Sequence, residues 1–299
     1  MSLTWDEIDG TLRIYRDDQR VVVYQRDTRS GVRSIANAVT ELYAPGQPAA
    51  NLLSDRSPLV PPQILVGVQD KYIGEECSNS PGENACDYFT HHNPAVEILQ
   101  ASGSEVRFRV RSAASQHDDR GTPIGYSSDM TVTVPFHPDL TVVEYEVRTT
   151  LDQTVHVRHA LRPLPFYELV DNAYESVSYL KADCQRANTV PIPTGDEAYL
   201  TFIRQSPVCG DRPWAAIHPN DYGNLGIILA SHEWSSGEPE LVSYTETANH
   251  PLRPNLYFQS ADHSRVYDSG VWQGHIVFLA YANADGSMPV RLFRDQLAE

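Results

Sequence analysis

Apolar and polar residues alternate with a period of two through most of this chain, and that alternation restricts it to a fold made of strands. In "EVRFRVRS", Val106, Phe108 and Val110 occupy alternate positions, with arginines between them. Successive side chains of a strand point to opposite faces of its sheet, so the pattern predicts one buried face and one polar face. Segments of this kind recur about a dozen times, and helical periodicity is nearly absent.

Turn residues divide these segments into hairpins. The turns are "DDQ" between "LRIYR" and "RVVVYQRD", "SGS" within "AVEILQASGSEVRFRVRSAA", and "HPD" within "DMTVTVPFHPDLTVVEYEVRTT". Further strands are predicted in "TVHVRHALRPL", "SVSYLKAD", "EAYLTFIRQ", "LGIILASHEW", "ELVSYTE", "NLYFQS", "WQGHIVFLAYAN" and "PVRLFRDQ", and residues 166–176 are the best short-helix candidate. We therefore expect one all-β domain over residues 1–299, a large antiparallel β-sandwich with long connecting loops and few helices.

The charge of the chain argues against two classes of partner. A formal net charge of -16 repels phosphate groups, so we expect neither nucleic acid nor a membrane as a partner. The chain has no run of 18 apolar residues, so we expect no membrane span. The start, "MSLTWDEIDG", lacks the basic and apolar regions of a signal peptide. We expect a soluble protein, either cytoplasmic or secreted after processing, and the oligomeric state stays open.

Four cysteines are present, and none forms a C-x-x-C pair, so a zinc ribbon is not expected. Cys77 and Cys86 flank the polar loop "SNSPGENA", and Cys184 and Cys209 flank a proline-rich connection. Each pair could be bridged in an oxidising compartment, and four free thiols are the alternative.

The segment "VHVRHALR", residues 155–162, combines an apolar face with a row of polar side chains. Alternation places His156, Arg158 and Arg162 on the polar face. Arginine binds carboxylates in a two-pronged geometry, so this face suits an anionic or polyhydroxy ligand. If the preceding strand pairs with this one, Glu144 or Glu146 would lie near Arg158. A solvated outer face is the alternative interpretation.

A second segment, "DYFTHHNP", holds Tyr88, His91 and His92 before an Asn-Pro pair that favours a loop. Neighbouring side chains of a strand cannot reach one point, whereas those of a loop at the mouth of a sheet can. A histidine there can act as a general base near neutral pH. A metal would need three or four converging ligands. "QHDDRG" could supply some, but no spacing matches a metal signature, so we predict no metal or other cofactor.

Other sequence features are less specific. "SHEW" places Trp234 at the end of an apolar strand, where its ring could contact a sugar at a pocket rim, as could Trp214 and Trp272. The chain contains no G-x-S-x-G, no phosphate-binding P-loop and no G-x-G-x-x-G, so the common hydrolase, nucleoside triphosphatase and dehydrogenase signatures are missing.

The order of elements resembles that of the galactose-mutarotase-like super-sandwich proteins. The resemblance covers residues 95–290 and rests on "EILQASGSEVRFRVRS", "TVTVPFHPDLTVVEYEVRTT", "VHVRHALRPL" and "GHIVFLAYANAD". It implies a large all-β fold that acts on or binds sugars. The epimerases of that family use a histidine acid and a glutamate base, and related domains in polysaccharide lyases abstract a proton beside a uronate with histidine, tyrosine and arginine.

Together, the residues and the resemblance predict a carbohydrate-active enzyme, an epimerase or lyase that abstracts a proton from an acidic sugar or oligosaccharide. The residues that could move a proton are His91, His92, His156, Tyr88 and Tyr167. The residues that could bind the substrate are Arg158, Arg162 and Trp234. The alternatives are a non-catalytic sugar-binding or accessory protein and a metal-dependent enzyme on a β scaffold.

Overall fold

The alternating segments form the strands of two large antiparallel sheets in the computed structural model. The structure describes residues 2–25, 38–47, 50–53, 59–60, 66–68, 71–73, 86–87, 90–91, 95–115, 123–156, 161–168, 174–193, 199–219, 223–246, 253–261, 266–282 and 286–297. Across these residues the chain forms 24 strands and one α-helix, so the predicted all-β sandwich is confirmed. Within the same ranges, no helix is long and apolar enough to cross a membrane. That residues 1–299 form a single domain stays a prediction.

The first sheet has nine strands and begins with the predicted N-terminal hairpin. In spatial order its strands are β1 (Leu3–Ile8), β2 (Thr11–Arg16), β3 (Gln19–Gln25), β4 (Ala38–Leu42), β5 (Leu59–Val60), β15 (Phe166–Glu168), β22 (Arg253–Ser260), β21 (Pro239–Glu246) and β18 (Tyr199–Gln205). Strand β22 contains "NLYFQS" and joins β21 to β15, so residues far apart in the chain become neighbours on this sheet.

The second sheet has ten strands and contains the two other predicted hairpins. In spatial order it contains β10 (Ala95–Ala101), β11 (Glu105–Ser115), β12 (Pro123–Pro135), β13 (Thr141–Leu151), β24 (Gly270–Tyr281), β20 (Asn224–Trp234), β19 (Trp214–Pro219), β16 (Tyr174–Leu180) and β17 (Ala187–Pro191), and β9 (Thr90–His91) also pairs with β11. Strand β24 lies between β13 and β20 and joins the two halves of the sheet.

Two small sheets complete the strands. One pairs β14 (Val155–His156) with β23 (Val266–Tyr267), and the other contains β6 (Val66–Val68), β7 (Lys71–Ile73) and β8 (Cys86–Asp87).

Apolar side chains from the inner faces of both large sheets fill one core. Val106, Phe108 and Val110 are fully buried, and Phe108 packs edge-on against Tyr24 of the other sheet with 4.8 Å between ring centroids. Alternation leaves Arg109 on the outer face, where it pairs with Asp129. The predicted division of β11 into a core face and a polar face is therefore confirmed.

The helix α1 (Met288–Gln296) replaces a predicted strand. The prediction that "PVRLFRDQ" is a strand is wrong, because the buried residues are Val290 and Phe293, three positions apart, as on one side of a helix. Pro289 occupies the first turn, where its missing N–H is tolerated. The helix covers part of the outer face of the ten-stranded sheet, where Val290 packs in an apolar cluster with Trp214 and Leu279.

The predicted short helix over residues 166–176 is also wrong, because β15 and β16 include both ends of that range. Phe166 and Tyr167 are both buried, on opposite faces of β15. The described residues of this segment therefore follow the period of a strand rather than that of a helix.

Cys184 and Cys209 form one of the two disulfides that the sequence allows. The bridge ties the β16–β17 turn to the segment before β19. Arg294 of α1 donates hydrogen bonds to the carbonyl oxygens of Asp211 and Arg212 nearby, at 2.9 Å and 3.0 Å. Cys77, the partner expected for Cys86, lies outside the described residues.

Candidate functional site

The two predicted histidine segments lie at one end of the ten-stranded sheet. His91 pairs with Ala114 near the end of β11, and β14, which contains His156, follows the end of β13 at Leu151. Leu151 in turn pairs with Gly270 at the start of β24, so these strands terminate at the same end of the sheet. The backbones of His91 and His156 therefore lie at the same end of the sandwich. Tyr88, His92 and Arg158 lie outside the described residues.

Arg162 lies on the outer side of the nine-stranded sheet, stacked on aromatic rings. Its guanidinium carbon is 4.2 Å from the ring centroid of Tyr257 and 5.1 Å from that of Phe166. Its Nη2 atom donates to the hydroxyl oxygen of Tyr257 at 3.4 Å. Phe166 and Tyr257 pack with Val242 in a small apolar cluster outside the main core. The cation is thus held in position by two π-faces and a hydrogen bond.

A buried carboxylate lies on the same face of this sheet. Glu240 is 1% exposed and pairs across strands with Gln259. The Gln259 side-chain amide donates to Oε2 of Glu240 at 2.7 Å, and Nε of Arg204 lies 3.6 Å from Oε1. Charged side chains are rarely buried to this degree unless they are paired.

We define the Arg162 cluster as these two groups of contacting side chains on the outer face of the nine-stranded sheet, which are neighbours because Tyr257 and Gln259 lie two residues apart on β22. Its members are Arg162, Phe166, Arg204, Glu240, Tyr257 and Gln259. The cluster contains two guanidinium groups and one carboxylate, in a chain whose formal net charge is -16. The arrangement can hold an anion.

The hydroxyl of Tyr257 is the titratable group of this cluster that is uncharged at neutral pH. Burial raises the pKa of Tyr257, and the charge and hydrogen bond of Arg162 oppose that change. The phenol therefore keeps its proton at neutral pH. Beside a bound anion it can serve as a hydrogen-bonding group.

Tyr167, a predicted acid or base, occupies the core instead of the Arg162 cluster. It is fully buried, and its hydroxyl donates to the carbonyl oxygens of Gly226 at 3.1 Å and Leu279 at 3.4 Å. Burial raises the pKa of Tyr167 well above its ordinary value. These hydrogen bonds join β15 to the ten-stranded sheet, and we leave Tyr167 out of the candidate site.

Trp234 is half-buried at the end of β20 and packs against the main core. The ring of His232 lies edge-on to it, with 5.7 Å between centroids. Trp214 and Trp272 are 1% and 0% exposed, so neither offers a surface for a sugar. Among these three tryptophans, Trp234 alone keeps the predicted position at a rim, on a different sheet from the Arg162 cluster.

The carboxylates of β13 do not lie where the sequence suggested. Strands β12 and β24 occupy both edges of β13, so the segment of residues 155–162 does not pair with it. Glu144 instead contacts Nε2 of His275 at 3.1 Å, and Glu146 lies 3.7 Å from Arg107. The strand pairing on which the expected proximity to Arg158 depended is therefore not formed by the described residues, and Arg158 itself lies outside them.

Within the ranges that the structure covers, no group of three or more histidine, cysteine, aspartate or glutamate side chains could hold a metal ion. His117, Asp118 and Asp119, the extra ligands that the sequence suggested, lie outside those ranges.

Sequence reasoning missed Glu240, Tyr257 and Gln259. The one local signal was the alternation of Tyr257 and Gln259 with the apolar Leu256 and Phe258 in "NLYFQS". That pattern marks a polar face, but it does not reveal that Glu240 lies opposite Gln259.

Comparison with known proteins found distantly similar solved structures. No family model and no curated protein matches it. A putative aldose 1-epimerase from Klebsiella pneumoniae matches with a TM-score of 0.47 and 12% identity, over 99% of this chain and 83% of that chain. A galactose mutarotase related enzyme from Lactobacillus acidophilus matches with 0.40 and 9%, over 95% and 99%. The galactosidase domain of an alpha-galactosidase-sucrose kinase matches with 0.46 and 8%, over 94% of this chain and 41% of that chain.

These descriptions agree with the galactose-mutarotase-like resemblance noted in the sequence. The chain spans less than half the length of the galactosidase chain. The similarity concerns the arrangement of strands, which does not by itself determine function.

Proposed function

We propose that this protein is a carbohydrate-active enzyme, an epimerase or lyase that removes a proton from an acidic sugar. In this proposal the Arg162 cluster binds the sugar carboxylate. The observation that carries it is the Arg162 guanidinium, stacked on Tyr257 and Phe166 on the same sheet face as the buried carboxylate of Glu240.

The charge of the cluster supports an anionic ligand. Stacking on aromatic rings fixes the position of a guanidinium, and its planar set of donors matches the geometry of a carboxylate. Burying a carboxylate such as Glu240 is costly, and apolar residues would stabilise the same surface as well or better. Buried charges in such surroundings are frequent at functional sites.

Binding an acidic sugar prepares the proton transfer. A positive group at the carboxylate stabilises the negative charge that develops when the neighbouring carbon loses its proton, which is worth about 3 kcal/mol for one well-placed donor. His91, His92 and His156 are the proposed bases, because imidazole titrates near neutral pH. Tyr88 is the proposed second acid or base. No metal or organic cofactor is part of the proposal.

Arg158 and Trp234 complete the proposed substrate contacts. Arg158 would share the carboxylate with Arg162, and the Trp234 ring would pack against a sugar face. Both roles are inferred from residue type and sequence position.

The test is a panel of uronic acids and uronate oligosaccharides, each paired with the matching neutral sugar, incubated with the protein in heavy water. We expect deuterium at the carbon next to the carboxylate for an epimerase, or an unsaturated uronate product for a lyase. Arg162→Ala should reduce kcat/KM for the acidic sugar at least about tenfold, because it removes a charged donor.

The matched control is Arg186→Ala. Arg186 also pairs with a carboxylate, that of Asp183 at 2.6 Å, but its side chain is 75% exposed in a hairpin turn of the other sheet. This variant should keep full activity. Equal turnover of the neutral sugars, or an unaffected Arg162→Ala variant, would contradict the proposal. Uronate binding without proton exchange would identify a sugar-binding protein instead.

A further inference from the structure

Three polar side chains form a hydrogen-bonded chain on the outer face of the ten-stranded sheet, on the opposite side of the sandwich from the Arg162 cluster. Oγ of Ser178 on β16 lies 2.8 Å from Nε2 of His218 on β19. Nδ1 of His218 lies 2.8 Å from Oδ1 of Asn224 on β20. The three strands are direct neighbours in the sheet, so the backbone holds these side chains in place.

The amide of Asn224 fixes the direction of these hydrogen bonds. Its Nδ2 donates to the carbonyl oxygen of Ala282 at 3.0 Å, which leaves Oδ1 facing the imidazole. The Nδ1 atom of His218 must then carry the proton, and Nε2 must be the acceptor. The Ser178 hydroxyl consequently donates to Nε2. A serine, a histidine base and an orienting group in this order form the constellation of a nucleophilic serine.

A fourth hydroxyl stands beside the serine. Oγ1 of Thr189 on β17 lies 2.7 Å from Oγ of Ser178. Because the Ser178 proton points to His218, Thr189 is the donor of this hydrogen bond. It can turn toward an oxygen that gains negative charge during an attack by Ser178.

The group is open to solvent on one side. Ser178 is 5% exposed and Asn224 is 1% exposed, but His218 is half-buried and Thr189 is exposed. The adjoining part of the same face is covered by α1, where Val290 lies above Gly226. A small reagent can thus approach from the side of β17.

We propose that Ser178 is the nucleophile of a second site, which cleaves small activated acyl esters. Oγ of Ser178 attacks the acyl carbon while Nε2 of His218 takes the hydroxyl proton. The bond between the acyl carbon and the ester oxygen breaks, and His218 returns the proton to the departing alcohol. Water then attacks the acyl-serine, His218 again carries the proton, and the acid is released with Ser178 restored. Asn224 is a positioning residue that holds the imidazole.

The test uses two probes on the full chain. A fluorophosphonate should add to Ser178, with the P–F bond broken, fluoride released and the hydroxyl proton passed through His218 to water. Intact-protein and peptide mass spectrometry locate the adduct. Hydrolysis of p-nitrophenyl acetate measures turnover. Ser178→Ala should abolish both reactions, and His218→Gln should slow them by about a hundredfold or more.

The matched control is Ser176→Ala, since Ser176 lies two residues away on the same face of the same strand and pairs with His218 in the sheet register. It should leave both reactions unchanged. Asn224→Leu should slow labelling, and Asn224→Asp should restore it, because either oxygen can hold the imidazole, whereas a purely structural role would not separate these two variants. Circular dichroism of each variant checks folding. An adduct that persists in Ser178→Ala, or the lack of any adduct in the wild-type protein, would overturn the proposal without touching the proposed function of the Arg162 cluster.

Discussion

Replacing Gly226 with alanine tests how closely α1 packs on the ten-stranded sheet. A Cβ atom at this position would lie 2.5 Å from Cγ2 of Val290 and 3.3 Å from Cβ of Leu279. Carbon atoms prefer a separation of about 3.5–4.0 Å, so either the helix must lift or the Val290 side chain must leave its place. The carbonyl of Gly226 also accepts a hydrogen bond from the buried Tyr167, which limits movement toward the core.

The magnitude follows from two opposing effects. Overpacking of this kind costs about 1–3 kcal/mol. Replacing glycine restricts the unfolded chain and returns about 0.4–1 kcal/mol. We therefore expect Gly226→Ala to lower the free energy of unfolding by about 1–2 kcal/mol. Urea unfolding followed by tryptophan fluorescence measures it, since Trp214 lies in the same apolar cluster as Val290.

A second substitution tests whether residue 226 and Val290 are in contact. In a Val290→Ala background the new methyl group enters the space that the valine leaves. The cost of Gly226→Ala should then shrink by at least about 0.5 kcal/mol, as expected for residues in contact. An equal cost in both backgrounds would refute the proposed contact. Gly210→Ala is the matched control: nothing lies within 4 Å of its added Cβ, so its effect should stay within about 0.5 kcal/mol.

Three other perturbations have expected outcomes. Reducing the Cys184–Cys209 disulfide, which closes a 25-residue separation, should lower the free energy of unfolding by about 3.5 kcal/mol, and an unchanged urea midpoint would contradict this. The hydrogen bond from Arg109 holds the pKa of Asp129 below its ordinary 3.8, so its contribution of about 1 kcal/mol or less is present above that pH and lost as the pH falls through the folded-state pKa. Asp129→Asn should therefore destabilise the protein at pH 7 but not in acid, whereas a pH-independent difference would argue against the pairing. Gln259→Leu leaves the buried carboxylate of Glu240 without its 2.7 Å donor and should cost about 1–3 kcal/mol in thermal or urea unfolding, and a neutral result would show that the amide is dispensable.

Local sequence patterns predicted the strands because the period of two is a direct record of sheet geometry. These patterns failed where a few residues fit both the period of a strand and the period of a helix. In α1, Val290 and Leu292 alternate like strand residues, yet Leu292 is 57% exposed and Phe293 is buried. The spacing of apolar residues cannot distinguish a helix from a strand in so short a segment.

The candidate site was predictable in part. Arg162 was predicted as a binding residue from its residue type and place in the polar row, and the structure shows it stacked on rings. Glu240 and Gln259 could not be found in this way, because their contact depends on the pairing of β21 with β22. The same holds for Ser178 and His218, which meet only through the order of strands in the ten-stranded sheet.

The position of β24 in the middle of the ten-stranded sheet also governs how the protein can assemble during synthesis. On one side, β10 to β13 are consecutive in the chain and can pair as hairpins as soon as they leave the ribosome. On the other side, β20 must wait for β24, which ends at Tyr281, before it is joined to β13. Until then the edges of β13 and β20 that pair with β24 have no partner strand, and intermediates with unpaired edges are prone to association. We expect nascent chains that stop before Gly270 to depend on chaperones far more than chains that extend beyond Tyr281.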